Sequence, residues 1–349
     1  MDKTILDMKK ILIILILVTG LIACENGNVE FEDYTYTTGY FPYQYPVRTI
    51  VLGDYIFPNE NDKNHKFLIS AAMGGVYENK QERIFNIELA PNLCTSVNFK
   101  ETNEPIVLMP ASHFALSSNQ ITIPAGKVNA GVEVQLTDAF FDDPLSIKWG
   151  YVIPVRIISV ANLDTVLVGK STKASPDPRV AADWDITPKN FTMFAVKYIN
   201  PYHGNYLHRG VAVVKDGSNA VLQTTSYRAR YAEQNEIWML ATTGRSTVTV
   251  TGSLRSTIVT GALKMELTFA ADGTCTIKEA AGSVFTITGT GKFVEDAESW
   301  GGKNHDAIFL NYQMTSAGNT YSATDTMAVR DRAVVMEVYN PTVIVPLTK

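Results

Sequence analysis

The stretch Gly131-Val132-Glu133-Val134-Gln135-Leu136 decides the fold class of this chain. Apolar and polar residues alternate strictly along it, and successive side chains of a β-strand point to opposite faces of a sheet. The three apolar side chains are therefore predicted to face a core, whereas Glu133 and Gln135 face water. Short segments rich in β-branched and aromatic residues recur along the whole chain, so we expect an all-β protein.

Six segments of this kind precede residue 170, and turn formers such as Gly53-Asp54 and Asp142-Asp143-Pro144 separate them at short intervals. No long helical pattern competes with them. Turns this closely spaced favour an antiparallel sandwich over βαβ units. The six predicted strands are 48–52, 67–71, 84–89, 121–123, 132–136 and 152–158.

The segment 171–182 contains Pro176 and Pro178 and is predicted to be a linker between a sandwich over 39–170 and a second domain over 183–349. The segments beyond it are longer and are joined by turns such as Asp272-Gly273. A meander of this length removes its exposed edges by closing into an up-and-down barrel, and a second open sandwich is the alternative. The predicted strands are 191–198, 206–214, 223–229, 237–242, 246–251, 263–269, 274–278, 284–290, 308–314, 321–329 and 334–339.

The N-terminus has the pattern of a secretory signal over residues 1–23, with Lys9-Lys10 followed by an apolar run over 11–22. That run is shorter than the roughly 20 residues that a membrane-spanning helix needs. Its end, Leu21-Ile22-Ala23-Cys24, resembles a bacterial lipobox. We therefore expect Cys24 to carry the lipid that anchors the protein to a membrane, and residues 24–38 to form a flexible spacer.

The composition excludes several classes of function. A net charge of -5 and a pI near 5.6, without a basic stripe, argue against a nucleic-acid partner. The motifs of serine hydrolases, zinc proteases and phosphate loops are absent from the sequence, so we expect no metal, no cofactor and no catalytic residues. With Cys24 assigned to lipid, Cys94 and Cys275 are expected to be buried thiols, with a disulfide between them as the alternative.

Four stretches carry a resemblance to a known family. The opening one, residues 40–53, resembles the start of a domain of unknown function found in surface lipoproteins of the Bacteroidota. Residues 202–210, 299–303 and 325–332 resemble the C-terminal partner domain of the same proteins. The resemblance implies an immunoglobulin-like sandwich followed by a lipocalin-like barrel. It also implies a place beside an outer-membrane transporter of a glycan-utilisation system.

The segment 298–306 is the most site-like loop in the sequence, because it combines Trp300 with polar residues within a few positions. A sugar presents apolar faces and hydroxyl edges, so its site needs an aromatic platform beside acids, amides or imidazoles. A glycine-rich turn whose tryptophan closes the barrel is an equal alternative. The predicted ligand-binding residues of this loop are Trp300, Lys303, Asn304, His305 and Asp306.

Three further residues are predicted to contribute to ligand binding. Tyr202 and His203, together with His208, could line a ligand mouth. The alternative is structural, with the aromatic of Gly204-Asn205-Tyr206 closing the end of the barrel and Arg330 or Arg332 lying against it. Trp184 could reach the ligand from the domain interface, or could only anchor the two domains. Trp149 and Trp238 lie within strand patterns and are expected in the core.

These features together predict a lipid-anchored protein on the outer face of the outer membrane that captures a glycan for an uptake system and has no catalytic activity. Glu298 and Asp306 are the nearest pair of carboxylates to consider for glycoside hydrolysis, and their proximity in sequence is weak support for it. An adhesion or structural lipoprotein that binds other envelope proteins is the alternative function, since it accounts for the same strands and anchor.

Overall fold

The computed structural model describes residues 32–345 and residue 347. Segments with alternating apolar residues form strands along this range. The signal segment, Cys24 and most of the predicted spacer lie outside the described residues. Residues 32–37 run beside the first sheet, where the Tyr34 N–H donates to the Gly75 carbonyl at 3.0 Å. The chain is all-β, as predicted, with a sandwich followed by a closed barrel.

Within residues 32–199, twelve strands and two short helices form the N-terminal part. The strands are β1 (Thr38–Tyr40), β2 (Val47–Val51), β3 (Lys66–Gly74), β4 (Arg83–Leu89), β5 (Val97–Phe99), β6 (Val107–Leu108), β7 (Phe114–Leu116), β8 (Gln120–Ile123), β9 (Asn129–Leu136), β10 (Tyr151–Ala161), β11 (Thr165–Val166) and β12 (Phe191–Ile199). The α-helices are α1 (Glu60–Lys63) and α2 (Asp138–Phe141), and the 3₁₀ turns are Pro91–Cys94, Pro144–Ile147 and Ala181–Asp183. A fourth 3₁₀ turn, Ala232–Gln234, lies in the C-terminal barrel.

Two sheets face each other in the sandwich. One has the strand order β11-β1-β3-β9-β7, and the other has the order β2-β12-β10-β4-β8, with β6 beside β10. The core between them draws apolar side chains from both sheets, such as Ile69 of β3 and Ile87 of β4. Val132, Val134 and Leu136 of β9 are buried in this core, so the alternation along 131–136 predicted their orientation correctly.

Eight antiparallel strands close the C-terminal barrel, because β13 pairs with β15 on one side and with β21 on the other. The ninth strand, β14, pairs with the second half of β13, beyond the residues of β13 that pair with β15. The strands are β13 (Gly204–Lys215), β14 (Val221–Tyr227), β15 (Glu236–Gly244), β16 (Thr247–Ser253), β17 (Ala262–Phe269), β18 (Thr274–Glu279), β19 (Ile287–Trp300), β20 (Lys303–Ser316) and β21 (Asn319–Asp331).

Two predicted strands of the barrel lie elsewhere. The segment 191–198 is β12, which pairs with β10 and β2 in the sandwich. With a partner on each edge, β12 is an interior strand of that sheet. Both of its faces are also covered, because Met193 lies in one apolar cluster and Val196 in another. The segment 334–339 forms only one bridge, and the chain then returns to the sandwich as β22 (Pro341–Val343), paired with β5.

The predicted linker 171–182 has irregular backbone but is packed against the sandwich. Asp177 and Arg179 form a buried ion pair at 2.7 Å within it. The Arg179 guanidinium also donates to the carbonyl oxygens of Leu93 and Thr95, at 3.1 and 2.6 Å. These charge-assisted bonds join the segment to the first domain.

Two expectations concern the cysteines and the membrane. Cys275 is buried and Cys94 is half-buried, and both are free thiols. Across residues 32–345 and 347, no helix has the length and apolar character that a bilayer crossing requires.

Candidate functional site

The predicted loop 298–306 is the tip of a two-stranded ribbon. Strand β19 ends at Trp300 and β20 begins at Lys303, so only Gly301 and Gly302 form the turn. Their φ angles are 58° and 76°, and glycine adopts such positive values without the steric cost that a Cβ brings. The side chains around the tip are therefore placed by sheet geometry.

Trp300 and His305 stack at this tip. Their ring centroids are 4.1 Å apart with an angle of 15° between the planes. His305 Nε2 also lies 3.3 Å from the Trp300 carbonyl oxygen. One face of the indole is thus covered by the imidazole, so only the other face could serve as a platform for a sugar. Lys303 is exposed beside them.

A bulge lies below the tip of the ribbon. The register of β19 and β20 shifts between Val294 and Glu298. Within the bulge, the Asp296 N–H donates to Asp306 Oδ1 at 3.0 Å. Glu298 turns to the outer side of the ribbon and accepts from Arg209 Nη2 at 2.6 Å. Each of the two carboxylates considered for hydrolysis is therefore engaged with a different partner.

A cleft of about 650 Å³ lies between this end of the barrel and the loop that follows β2. Asn304, His305 and Asp306 line it, so the structure brings together three of the predicted residues. Trp300 and Lys303 do not line it. The other lining residues are Asp54, Tyr55, Ile56, Pro201, Asn205, Asp296, Val329, Arg330, Asp331, Arg332, Ala333, Val334 and Val335.

Arg332 fixes the two walls of the cleft to each other. Its Nη1 donates to the Asp54 carbonyl at 2.6 Å, and its Nη2 donates to the carbonyls of Leu52 and Asn200 at 2.9 and 2.7 Å. Its Nε donates to the His203 carbonyl at 2.7 Å. The residue is 7% exposed. One guanidinium thus joins the sandwich loop to the entry of the barrel, so the cleft is largely formed before any ligand arrives.

The floor of the cleft is also ordered. Asp331 Oδ1 accepts from Asn205 Nδ2 at 2.8 Å and from the Ala333 N–H at 2.8 Å. Asn205 lies on the first strand of the barrel and Asp331 on the last, so their bond lies at the seam where the barrel closes.

Comparison with known proteins shows which family models and solved structures this chain resembles. The model of the domain of unknown function DUF5627 matches residues 201–333, and a second family model, for an N-terminal domain, matches residues 34–164. A crystal structure of a protein of unknown function from Bacteroides ovatus is 36% identical and has a TM-score of 0.83, over 89% of this chain and 99% of that one. The chain therefore belongs to the same family as this Bacteroides ovatus protein, and its residues 201–333 form a DUF5627 domain. No curated protein matches it.

More distant structures resemble this chain weakly. A multidomain protein including DUF1735 from Bacteroides ovatus is 12% identical with a TM-score of 0.38, over 86% of this chain and 97% of that one. A candidate carbohydrate binding protein from Bacteroides ovatus ATCC 8483 is 13% identical with a TM-score of 0.27, over 79% of this chain and 81% of that one.

Tyr202 and His203 lie behind the cleft at the entry of the DUF5627 domain. Tyr202 stacks on Phe269 at 3.6 Å and meets Phe293 edge-on, so it caps the barrel core. His203 Nδ1 accepts from the Thr242 N–H at 3.0 Å. Burial, followed by the charges of Arg332 and Lys197, lowers the pKa of His203 to about 4, which keeps this imidazole neutral at pH 7. Neither side chain lines the cleft.

Two other sequence expectations end differently. Trp184 lines no part of the cleft, and its Nε1 donates to the Asp177 carbonyl at 2.8 Å, within the segment packed on the sandwich. The prediction that Arg330 or Arg332 stacks on an aromatic ring was wrong. The Arg332 guanidinium is hydrogen-bonded to backbone carbonyls, and Arg330 is exposed beside Asp331. Trp238 is 3% exposed in the barrel core, as expected.

A second polar cluster lies inside the DUF5627 barrel. The hydroxyl of Tyr227 donates to Asp325 Oδ1, and that of Tyr312 donates to Asp325 Oδ2 at 3.0 Å. His208 Nε2 lies 3.0 Å from Asp325 Oδ2, and its ring stacks on Trp238 at 3.5 Å. Among the described residues, no group of histidine, cysteine and acidic side chains is arranged to hold a metal ion.

Sequence reasoning missed the sandwich half of the cleft. Asp54 was considered only as part of a turn and Tyr55 not at all, and Asn205 and Asp331 only as members of motifs. The pair Asp54 and Tyr55, the residue Asn205 and the residue Asp331 are separated from one another by more than a hundred positions in the sequence. Only the closure of the barrel and the docking of the 54–56 loop make them neighbours.

Proposed function

We propose that this protein binds a glycan, without transforming it, in the cleft between the barrel end and the 54–56 loop. One observation carries the proposal, namely the mixture of amide, carboxylate and imidazole groups with apolar surface in a preformed cleft of about 650 Å³. Asn205, Asn304 and Asp306 offer hydrogen-bond donors and acceptors for hydroxyl groups. Tyr55 and Val329 offer apolar surface for the C–H faces of a sugar.

The rigidity of the cleft supports a binding role. Arg332 and the Asp331–Asn205 bond hold both walls in place, so little ordering of the protein accompanies ligand binding. A hydrolytic role needs two free carboxyl groups flanking the bond that is cut. Glu298 is paired with Arg209 and Asp306 with the backbone of Asp296, so neither is placed for that task.

Binding is tested by affinity electrophoresis in gels that contain xylan, mannan, galactan, arabinan, β-glucan or pullulan. We expect at least one polysaccharide to retard the protein. Asn304→Ala is expected to weaken that retardation about tenfold, because it removes a hydrogen-bonding group from the cleft. Asn311→Ala is the matched control, since Asn311 is exposed on the same strand and faces away from the cleft.

Trp300→Ala tests in the same gels whether the ribbon tip, as distinct from the cleft, contacts the glycan. Tyr77→Ala is the aromatic control, because Tyr77 lies on the sandwich and is 85% exposed. A folded wild-type protein that no polysaccharide retards would refute glycan binding. The release of new reducing ends from the retarding polysaccharide would instead refute the non-catalytic part of the proposal.

We also propose that the protein is held by lipid on Cys24 at the outer face of the outer membrane, where it passes the glycan to a transporter complex. The lipobox-like Leu21-Ile22-Ala23-Cys24 supports the anchor. Cys24→Ala is expected to move the protein from the detergent-extracted membrane fraction to the soluble fraction, or to leave the precursor uncut. A mature Cys24→Ala protein that still fractionates with membranes would contradict the anchor.

A role in adhesion or envelope structure is the second candidate function, and one observation favours it. The side chains of Ile56, Phe57, Val335 and Met336 are exposed to 82, 60, 67 and 82%; Ile56 and Val335 line the cleft, and the other two lie next to them. Exposed apolar side chains that cluster in this way often mark a protein-binding surface. Failure of every glycan to bind, together with association of the folded protein with another envelope protein, would favour this function.

A further inference from the structure

A second depression lies on the other side of the 54–57 loop. Its volume is about 700 Å³, and it extends along the free edge of β2 past α1. Tyr55, Val334 and Val335 line both this depression and the cleft. The two hollows are therefore neighbours that share one wall, which we call the ridge and define as residues 55–57 together with 334–336.

The ridge is rigid although its apolar side chains are exposed. The rings of Tyr55 and Phe57 meet edge-to-face with centroids 5.5 Å apart. Arg332 holds one of its segments through the Asp54 carbonyl. The other segment is held where the Val47 N–H donates to the Glu337 carbonyl at 3.2 Å and Lys197 pairs with the Glu337 carboxylate at 2.5 Å.

The floor of the second depression is built from satisfied polar groups. Asn59 Nδ2 donates to the carbonyls of Val51 and Gly53, at 3.0 and 2.9 Å. Buried Asp62 accepts from the Val51 N–H at 2.9 Å and pairs with Arg48. These bonds also protect the edge of β2 from pairing with another strand.

The groups above this floor are available to a ligand. Asn61 and Glu60 are exposed on α1, and the Arg48 side chain is 35% exposed. The second depression thus repeats the chemistry of the cleft, with amide, carboxylate and guanidinium groups beside aromatic rings. Such groups match the hydroxyl edges and the C–H faces of a sugar.

We propose that the two depressions are subsites of one groove and that the ligand is an extended glycan chain that crosses the ridge, so that a disaccharide fills only part of the site. The proposal rests on the proposed function. A chain that crosses the ridge would lay C–H faces on Phe57 and Met336 and remove exposed apolar surface from water. Its hydroxyl groups would reach Asn304 on one side and Asn61 on the other.

The test uses a disaccharide and a hexasaccharide prepared from whichever polysaccharide retards the protein. Each is titrated calorimetrically into the detergent-extracted full-length protein. The wild type is expected to bind the hexasaccharide at least about tenfold more tightly than the disaccharide. Phe57→Ala and Asn61→Ala are each expected to bring that ratio to within about threefold, because they remove contacts that only the longer ligand makes.

Asn311→Ala on the outer barrel wall is the control and should keep the wild-type ratio. Equal affinity of the two saccharides for the wild type would overturn the extended groove while leaving glycan binding in the cleft intact. An unchanged ratio in both Phe57→Ala and Asn61→Ala would also overturn it, and would leave the ridge as a surface for a protein partner. If neither saccharide binds although the parent polysaccharide retards the protein, this inference is overturned, while the retardation still supports glycan binding itself.

Discussion

Replacing Arg332 with alanine is expected to lower the free energy of unfolding by about 3 to 5 kcal/mol. The guanidinium donates to the carbonyls of Leu52, Asp54, Asn200 and His203, and the residue is 7% exposed. Truncation leaves these carbonyls without their donor at a site that water reaches poorly. The denaturation midpoint in urea, followed by tryptophan fluorescence, measures the loss.

Arg330→Ala is the matched control, since Arg330 lies two positions away and its side chain is 47% exposed. Its contact with Asp331 is 3.8 Å long, and exposed pairs of this kind contribute little to stability, so a change within about 0.5 kcal/mol is expected. An Arg332→Ala protein that unfolds at the wild-type midpoint would show that the guanidinium is not what joins the sandwich loop to the barrel.

Asp325→Ala is expected to be similarly damaging, at about 3 to 5 kcal/mol. The Asp325 side chain is fully buried in the barrel and accepts from the hydroxyls of Tyr227 and Tyr312, with His208 Nε2 3.0 Å away. Burial, reinforced by this carboxylate, raises the pKa of both tyrosines, which keeps their hydroxyl groups protonated as donors. Alanine would leave these donors without an acceptor in the core.

Asp325→Asn should cost less, about 1 to 3 kcal/mol, because the amide oxygen keeps one acceptor of the same shape. Thr324→Ala, one position away on the outer face of β21, should stay within about 0.5 kcal/mol of the wild type. Equal stability of Asp325→Ala and Thr324→Ala in urea would mean that the buried network contributes nothing to the barrel.

Local pattern was sufficient for most strands. The segments predicted at 67–71, 132–136, 206–214 and 263–269 all lie within observed strands, because alternation and turn residues are local properties of the chain. The same locality explains the errors. The segment 191–198 was correctly predicted as a strand, but its choice of sheet depends on partners in β2 and β10 that no local pattern reveals.

The candidate site shows the same division. The tip residues Asn304, His305 and Asp306 were predicted from their chemistry, and all three line the cleft. Trp300, the centre of that prediction, instead lies outside the cleft with one face against His305. The glycine pair that made the segment look like an open loop forms a two-residue turn between long strands, so the tryptophan takes its direction from the strand.

The sequence by itself determined that this protein is all-β and where most of its strands lie. These properties follow from side-chain periodicity, turn chemistry and composition, each of which acts over a few residues. Only the tertiary structure decided that β12 belongs to the sandwich, that Tyr202 closes the barrel, and that Arg332 joins residues 52–54 to the barrel end. The physical reason is that burial, and hydrogen bonds to carbonyl groups more than a hundred positions away in the sequence, depend on which surfaces meet in the folded protein.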